Sequence, residues 1–250
     1  MVEILHPGDR GLQSEDEALE ALAERYRAAV GPGMSMLGKL GERADSLTGQ
    51  LPEAVRDGLY GATDKALQVA IRAADMSHKV LPRENERLTR IVATAMGAAG
   101  GMGGFGTALA ELPLTTTLFL RSIQSAAKEE GFDPAAESVR FDSIRIFASN
   151  GPLSSGEADL AFVATRVALT GPTLQALATN VAPKLAIVFG KKIAAQALPV
   201  MGAAAGASIN AVYAGYYRNM AHVHFGMRRL AIESDQSMDA LVEKLQSRLG

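Results

Sequence analysis

Two long stretches of this chain carry almost no charge, and both are rich in small side chains. From Ile91 to Leu120 the single ionisable residue is Glu111, and from Ile193 to Tyr217 there is none. Tracts of this kind must leave water, either into a protein core or into a membrane. The chain has no Trp and only 5% aromatic residues, so its core depends on close approach of Ala, Gly and aliphatic side chains. Ala and Leu are the strongest helix formers, which favours tightly packed helices over a sheet.

Charge elsewhere is uneven. Residues 1–90 hold 12 basic and 15 acidic groups, the pattern of solvated amphipathic helices. After Asp159 no acid appears until Glu233, while Arg166, Lys184, Lys191, Lys192, Arg218, Arg228 and Arg229 fall between, giving a largely apolar stretch of +7. The total is balanced at −2, which argues against a general nucleic-acid binder. Absence of Cys excludes disulfides, thiolate metal sites and cysteine nucleophiles. At 250 residues the length suits one large domain or two small ones. The first residues lack the basic lead and apolar run of a secretory signal, so a cytoplasmic setting is the expectation.

Helix signals punctuate the chain. Ser14 with Glu17 has capping-box spacing, Leu19, Leu22, Ala23 and Tyr26 share a face, and Gly31-Pro32-Gly33 is a stop. Pro52 opens a long helix with Val55, Leu59, Ala62, Ala66, Val69, Ala70 and Ala73 inward, ending near Leu81-Pro82. Asp133-Pro134 reads as an N-cap and first-turn proline before Val139, Ile144 and Ile146. Residues 149–156 read as a loop. Helices are expected at 157–169, 173–180 and 194–230, with Pro199 kinking or restarting the last. Leu185 to Phe189 is also compatible with a buried strand. From Asp235 onward, Met238, Leu241, Val242, Leu245 and Leu249 form one face of a terminal helix.

Residues 91–106 contain six glycines, each costing roughly 1 kcal/mol inside a helix. Gly97 with Gly101, Gly100 with Gly104, and Gly202 with Gly206 have the four-residue spacing that lets helices approach closely, so two Gly/Ala-rich hairpins are expected at the centre. Gly101 to Gly106 spells GxGxxG, but the preceding Ala-rich segment is not a strand, so helix packing is the better reading than nucleotide binding. His222 and His224 point to different sides of a helix, which favours structural hydrogen bonds over a metal pair. No cofactor is implied. Glu111, alone in its tract, calls for a basic partner from the +7 stretch.

The uncharged run 193–217 could cover roughly 37 Å as a helix, enough for a bilayer. Gln196, Pro199 and Asn210 lower its hydrophobicity, so a buried hairpin is favoured over a span. The intermediate case is a helical body docked on an anionic membrane through basic rims, Lys191-Lys192 and Arg228-Arg229.

Several blocks resemble the EcsC protein family of bacteria. They are Ala108-Leu-Ala-Glu-Leu-Pro-Leu-Thr-Thr-Thr117 with Leu120-Arg-Ser122, Gly131-Phe-Asp133, Phe147-Ala148, Phe189-Gly190, Ala194 to Ala197, Pro199 to Ala203, Gly206-Ala207, Ile209-Asn210, His224-Phe225 and Arg228-Arg-Leu230. The resemblance covers roughly residues 50–232. It implies a mostly helical fold and a cytoplasmic or membrane-peripheral setting, with no known cofactor.

The expectation is therefore an all-α, single compact multi-helix domain. A helical extension (1–50) precedes an EcsC-like core (51–232), and an amphipathic helix (233–250) packs on it. The leading functional expectation is a non-enzymatic accessory or interaction protein, peripheral on the inner face of the membrane. Its contacts would be Lys191, Lys192, Arg228 and Arg229, and its partner an anionic surface or a membrane protein. A second is a carrier holding a lipid-like ligand in a cavity near Glu111, Asn210 and His224. A third is a hydrolase using that same polar trio.

Overall fold

The computed structural model describes residues 14–37, 39, 53–80, 91–96, 104–149, 174–196 and 202–249. The side chains of 54–57, 73–80, 104–110, 174–175, 178, 184, 192–196 and 202–206 fall outside that description. The main helices are α1 (Glu15–Ala29), α2 (Glu53–Val80), α3 (Gly104–Glu129), α4 (Glu137–Ala148), α5 (Leu174–Gln196), α6 (Gly202–Ser234) and α7 (Met238–Leu249). Short helical segments occupy 32–37 and 91–96, and the described residues include no strand.

Local chemistry sets most helix ends. Ser14 Oγ accepts from the Glu17 amide while the Glu17 carboxylate accepts from the Ser14 amide, the reciprocal box expected from their spacing. α3 ends where Gly131 adopts φ 94°, a left-handed conformation that costs glycine little. There the Phe132 amide reaches back to the Ala127 carbonyl. α6 ends similarly at Asp235, φ 52°. Pro113 and Pro183 sit inside α3 and α5, where each removes a backbone donor.

α6, 33 residues and about 50 Å long, is the element on which the others assemble. It packs against α1, α3, α4, α5 and α7, while α2 lies against α3 and α5. The reason is visible in its sequence: Ile209, Tyr213, Ala214, Tyr216, Tyr217, Met220, Ala221, Val223, Phe225 and Met227 are all buried. A helix apolar on most sides is stable only when surrounded. Its tyrosines join α3 Phe119, α4 Phe147 and α5 Phe189 in an aromatic cluster, with ring centroids 5.1 Å (Phe147–Tyr217) to 6.4 Å (Phe119–Phe147) apart. α1 and α7 close a smaller apolar cluster on Val223, Met227 and Leu230. At Gly226 a Cβ would come within 2.5 Å of Leu22, so glycine is what lets α1 approach.

Several expectations need correction. Asp133-Pro134 forms a turn, with Asp133 Oδ1 accepting from the Ala135 amide, and α4 starts only at Glu137. Leu185 to Phe189 belongs to helix α5, which runs from Leu174 to Gln196 and extends well beyond 180. Of the two alternatives for 194–230, a kink or a restart, the structure has two helices, α5 ending at Gln196 and α6 starting at Gly202. Val69 is exposed, and Thr63 and Leu67 are buried with Leu59, Ala66 and Ala70, so the α2 face is rotated from the expected one. Gly97, Gly101, Pro199 and the helix expected at 157–169 lie outside the described residues. Gly104 and Gly202 open α3 and α6, and Gly206 lies in the first turns of α6. Among the described residues no helix is long and apolar enough to cross a membrane.

Candidate functional site

Along α6, polar side chains meet the neighbouring helices at three levels. At the first, fully buried Asn210 donates from Nδ2 to the Ala93 carbonyl (2.9 Å) and to Glu111 Oε1 (2.9 Å). Thr115 Oγ1 donates to the same carboxylate oxygen at 3.0 Å. One amide nitrogen carries two hydrogens, so Asn210 can tie segment 91–96 and α3 to α6 at one point. Burying these groups would cost several kcal/mol without such bonds.

The second level lies at the C-terminal end of α3. Arg218 Nη2 donates to both Glu129 carboxylate oxygens at 2.9 Å. His222 Nδ1 is 2.7 Å from Glu130 Oε1, and its Nε2 is 3.3 Å from Glu129 Oε2. The longer contact is an ion pair by distance, with the ring N–H off the hydrogen-bonding direction. Arg229 Nη2 approaches the other Glu130 oxygen at 3.3 Å. Positions 218, 222 and 229 recur at helical spacing, so one stripe of α6 faces this corner.

The third level belongs to α4. Arg228 donates to Asp142 Oδ2 (2.8 Å) and to Ser138 Oγ (3.2 Å), and its guanidinium lies 4.9 Å from the Phe132 ring centre. His224 Nε2 is 3.1 Å from the same Asp142 oxygen, and Arg145 flanks Asp142 at 3.7 Å. His222 and His224 thus serve different helices, as their spacing requires.

The electrostatics follow from partners and burial. Burial works against the charge of Glu129, but the neighbouring His222 ring and the Arg218 guanidinium outweigh it and hold the carboxyl down at about 2. Burial also opposes the charged His222 ring, yet Glu129 and Glu130 raise its pKa above the usual histidine value. Desolvation lowers Arg228 to about 10 and raises Tyr216 to about 12.

Some sequence-selected residues come together and others do not. Glu111 and Asn210 are bonded directly, and the Thr115 hydroxyl donates to the same carboxylate. His224 is not part of that group: it lies 14 residues further along α6, about 21 Å, on Asp142. The trio that supported both a cavity and a hydrolytic centre is therefore not assembled. Arg228 and Arg229 form no basic rim, being paired with Asp142 and Glu130 and mostly shielded from solvent. Lys191 is half-buried on α5, and the Lys192 side chain lies outside the described residues. Among the described residues no three His, Asp or Glu side chains form a metal-binding group.

Sequence reasoning missed Glu129, Glu130 and Asp142. The available signal was the acid-free +7 stretch itself, since a buried base there needs an acid from elsewhere in the chain.

These features define an all-α protein organised around a long central helix, with its histidines and arginines matched by acids from α3, α4 and the turn between them. The family model for the EcsC protein family matches residues 34–230, and the chain belongs to that family. The match runs from the segment after α1 into α6, leaving α1 and α7 as flanking elements. No curated protein and no solved structure matches the chain.

Proposed function

We propose that this chain is a non-enzymatic, membrane-peripheral accessory protein whose contact element is α5. The observation that carries this reading is an outward stripe on α5. Pro183 is exposed, Ile187 is 62% exposed one turn later, and Lys191 follows after another. The opposite side of α5, with Val181, Ala182, Leu185, Ala186 and Phe189, is buried in the core. A large aliphatic side chain held in water on an otherwise packed helix favours an apolar contact.

Charge favours an anionic one. α5 carries Lys184, Lys191 and Lys192 and no acidic residue over its whole length. Each lysine near an anionic bilayer contributes about 1 kcal/mol, roughly a fivefold gain in affinity, and burying Ile187 adds about 1.5–3 kcal/mol. The lysines of α5 take the place of the Arg228-Arg229 pair in this reading.

Cosedimentation with vesicles of phosphatidylcholine containing phosphatidylglycerol tests it. The expected result is binding at low salt, weakened by high salt and lost on Lys191→Glu with Lys192→Glu. A chain that stays in the supernatant with anionic vesicles at low salt overturns the reading.

A further inference from the structure

The corner between α3 and α4 contains a histidine in an unusual electrostatic setting. His222 is 2% exposed, and each of its ring nitrogens faces a different carboxylate, Nδ1 on Glu130 at 2.7 Å and Nε2 on Glu129 at 3.3 Å. A neutral imidazole has one N–H and one lone pair. In this geometry a neutral ring would leave its lone pair beside a carboxylate oxygen, Glu129 if Nδ1 keeps the proton, an arrangement that repels. Only the imidazolium sets positive charge beside both carboxylates, hydrogen-bonded to Glu130 and ion-paired with Glu129.

We infer that His222 is a proton-dependent clasp, which as imidazolium bridges Glu129 and Glu130 and holds the C-terminal corner of α3 on α6, and which loosens that corner when it loses its proton. The surrounding charges define how far the loosening goes. From α6, Arg218 holds Glu129 and Arg229 holds Glu130, so each carboxylate keeps one cation after the proton leaves. From α1, Arg25 acts on the ring as a like charge and favours proton loss. The corner therefore shifts locally while the bundle stays folded. What shifts is the turn through Gly131 that aims α4, and with it Asp142, the partner of Arg228 and His224.

The direction of the pH dependence follows from the geometry and agrees with the raised ring pKa. A midpoint higher in the folded than in the unfolded chain means the clasp is fully formed below about 6.5 and lost as pH rises through the folded midpoint. This behaviour sets the corner apart from a fixed arginine–carboxylate pair, which does not titrate in that range.

The experiment is an NMR titration of ring-labelled histidine in the full chain. There are four histidines, so His222→Gln identifies the resonance by its disappearance. The expected result is a ring protonated on both nitrogens at pH 6, a midpoint above 6.5, and a lower midpoint in Glu130→Gln. Amide exchange at residues 128–136, corrected for the intrinsic pH effect, is expected to accelerate through the same midpoint. A single neutral tautomer at pH 6, a midpoint at or below 6.5, or corner exchange indifferent to the ring's titration overturns the proposal. Should His222→Gln fail to fold, His6→Gln, His78→Gln and His224→Gln taken one at a time assign the remaining resonance by elimination, so the wild-type titration still decides.

Discussion

α5 and α6 both lie in the acid-free stretch of the sequence, yet they meet the rest of the molecule differently. Arg218, His222, Arg228 and Arg229 of α6 meet Glu129, Glu130 and Asp142 and are drawn into the body of the protein. On α5 the outward stripe shows Pro183 and Ile187 to solvent, and three lysines share the helix with no acid. Local charge therefore does not report surface charge. What decides is whether the tertiary fold delivers an acid to the base, and that acid can be 92 residues away, as Glu130 is from His222.

The contrast predicts different consequences for damage in the two helices. The largest loss is expected for Glu130→Ala, which leaves His222 and Arg229 facing a buried corner without one of their carboxylates. Removing one partner of a buried ion pair costs about 3–5 kcal/mol, readable as a drop in the urea midpoint. Asp142→Ala strips Arg228 and His224 of a carboxylate that is partly reached by solvent, and should cost about 2 kcal/mol in the same assay.

Acid sharpens the comparison by titrating the α6 partners. The folded Glu129 carboxyl sits at about 2, below the usual carboxylate value of 4.5. Its contribution is thus fully present above about 4.5 and lost as pH falls toward 2. Acid denaturation should begin at a higher pH in Glu129→Gln than in the wild type and depend less steeply on pH between about 4.5 and 2, as followed by circular dichroism. The smallest stability effect is expected for Ile187→Asp on α5, within about 0.5 kcal/mol because the side chain already faces water. That same change should abolish sedimentation with anionic vesicles. Thus variants that strip the α6 bases of their acids lose fold, and α5 variants lose contact.

The helical architecture was legible because its signals are local. Ser14 and Glu17 mark the start of α1 by spacing alone, and Leu241, Val242 and Leu245 mark the packed face of α7. Leu185 to Phe189 was ambiguous in a five-residue window. Its helical period shows only when Val181 and Ala182 are added, one turn earlier on the same buried side. Glu111 and Asn210 stood out as polar residues in apolar tracts, and the structure joins them. Membership of the EcsC family was legible from blocks that fall largely in α3 and α6.

The pairing of the basic residues was not legible, for a physical reason. Arg228 and Arg229 are adjacent in sequence, and one helical step of about 100° sends them to different carboxylates, Asp142 and Glu130. Nothing in their neighbourhood encodes that choice, which depends on how the turn at Gly131 aims α4. His224 was grouped with Asn210 because both are polar in an apolar context, whereas the rise along α6 carries them about 21 Å apart.

Since the chain contains no Trp, Ile187→Trp places a single indole, excitable apart from the five tyrosines, at the centre of the α5 stripe. Its emission is expected to shift to the blue on adding anionic vesicles at low salt, reversed by high salt, as the indole leaves water. An emission spectrum unchanged by anionic vesicles at low salt would contradict the claim that α5 is the contact surface.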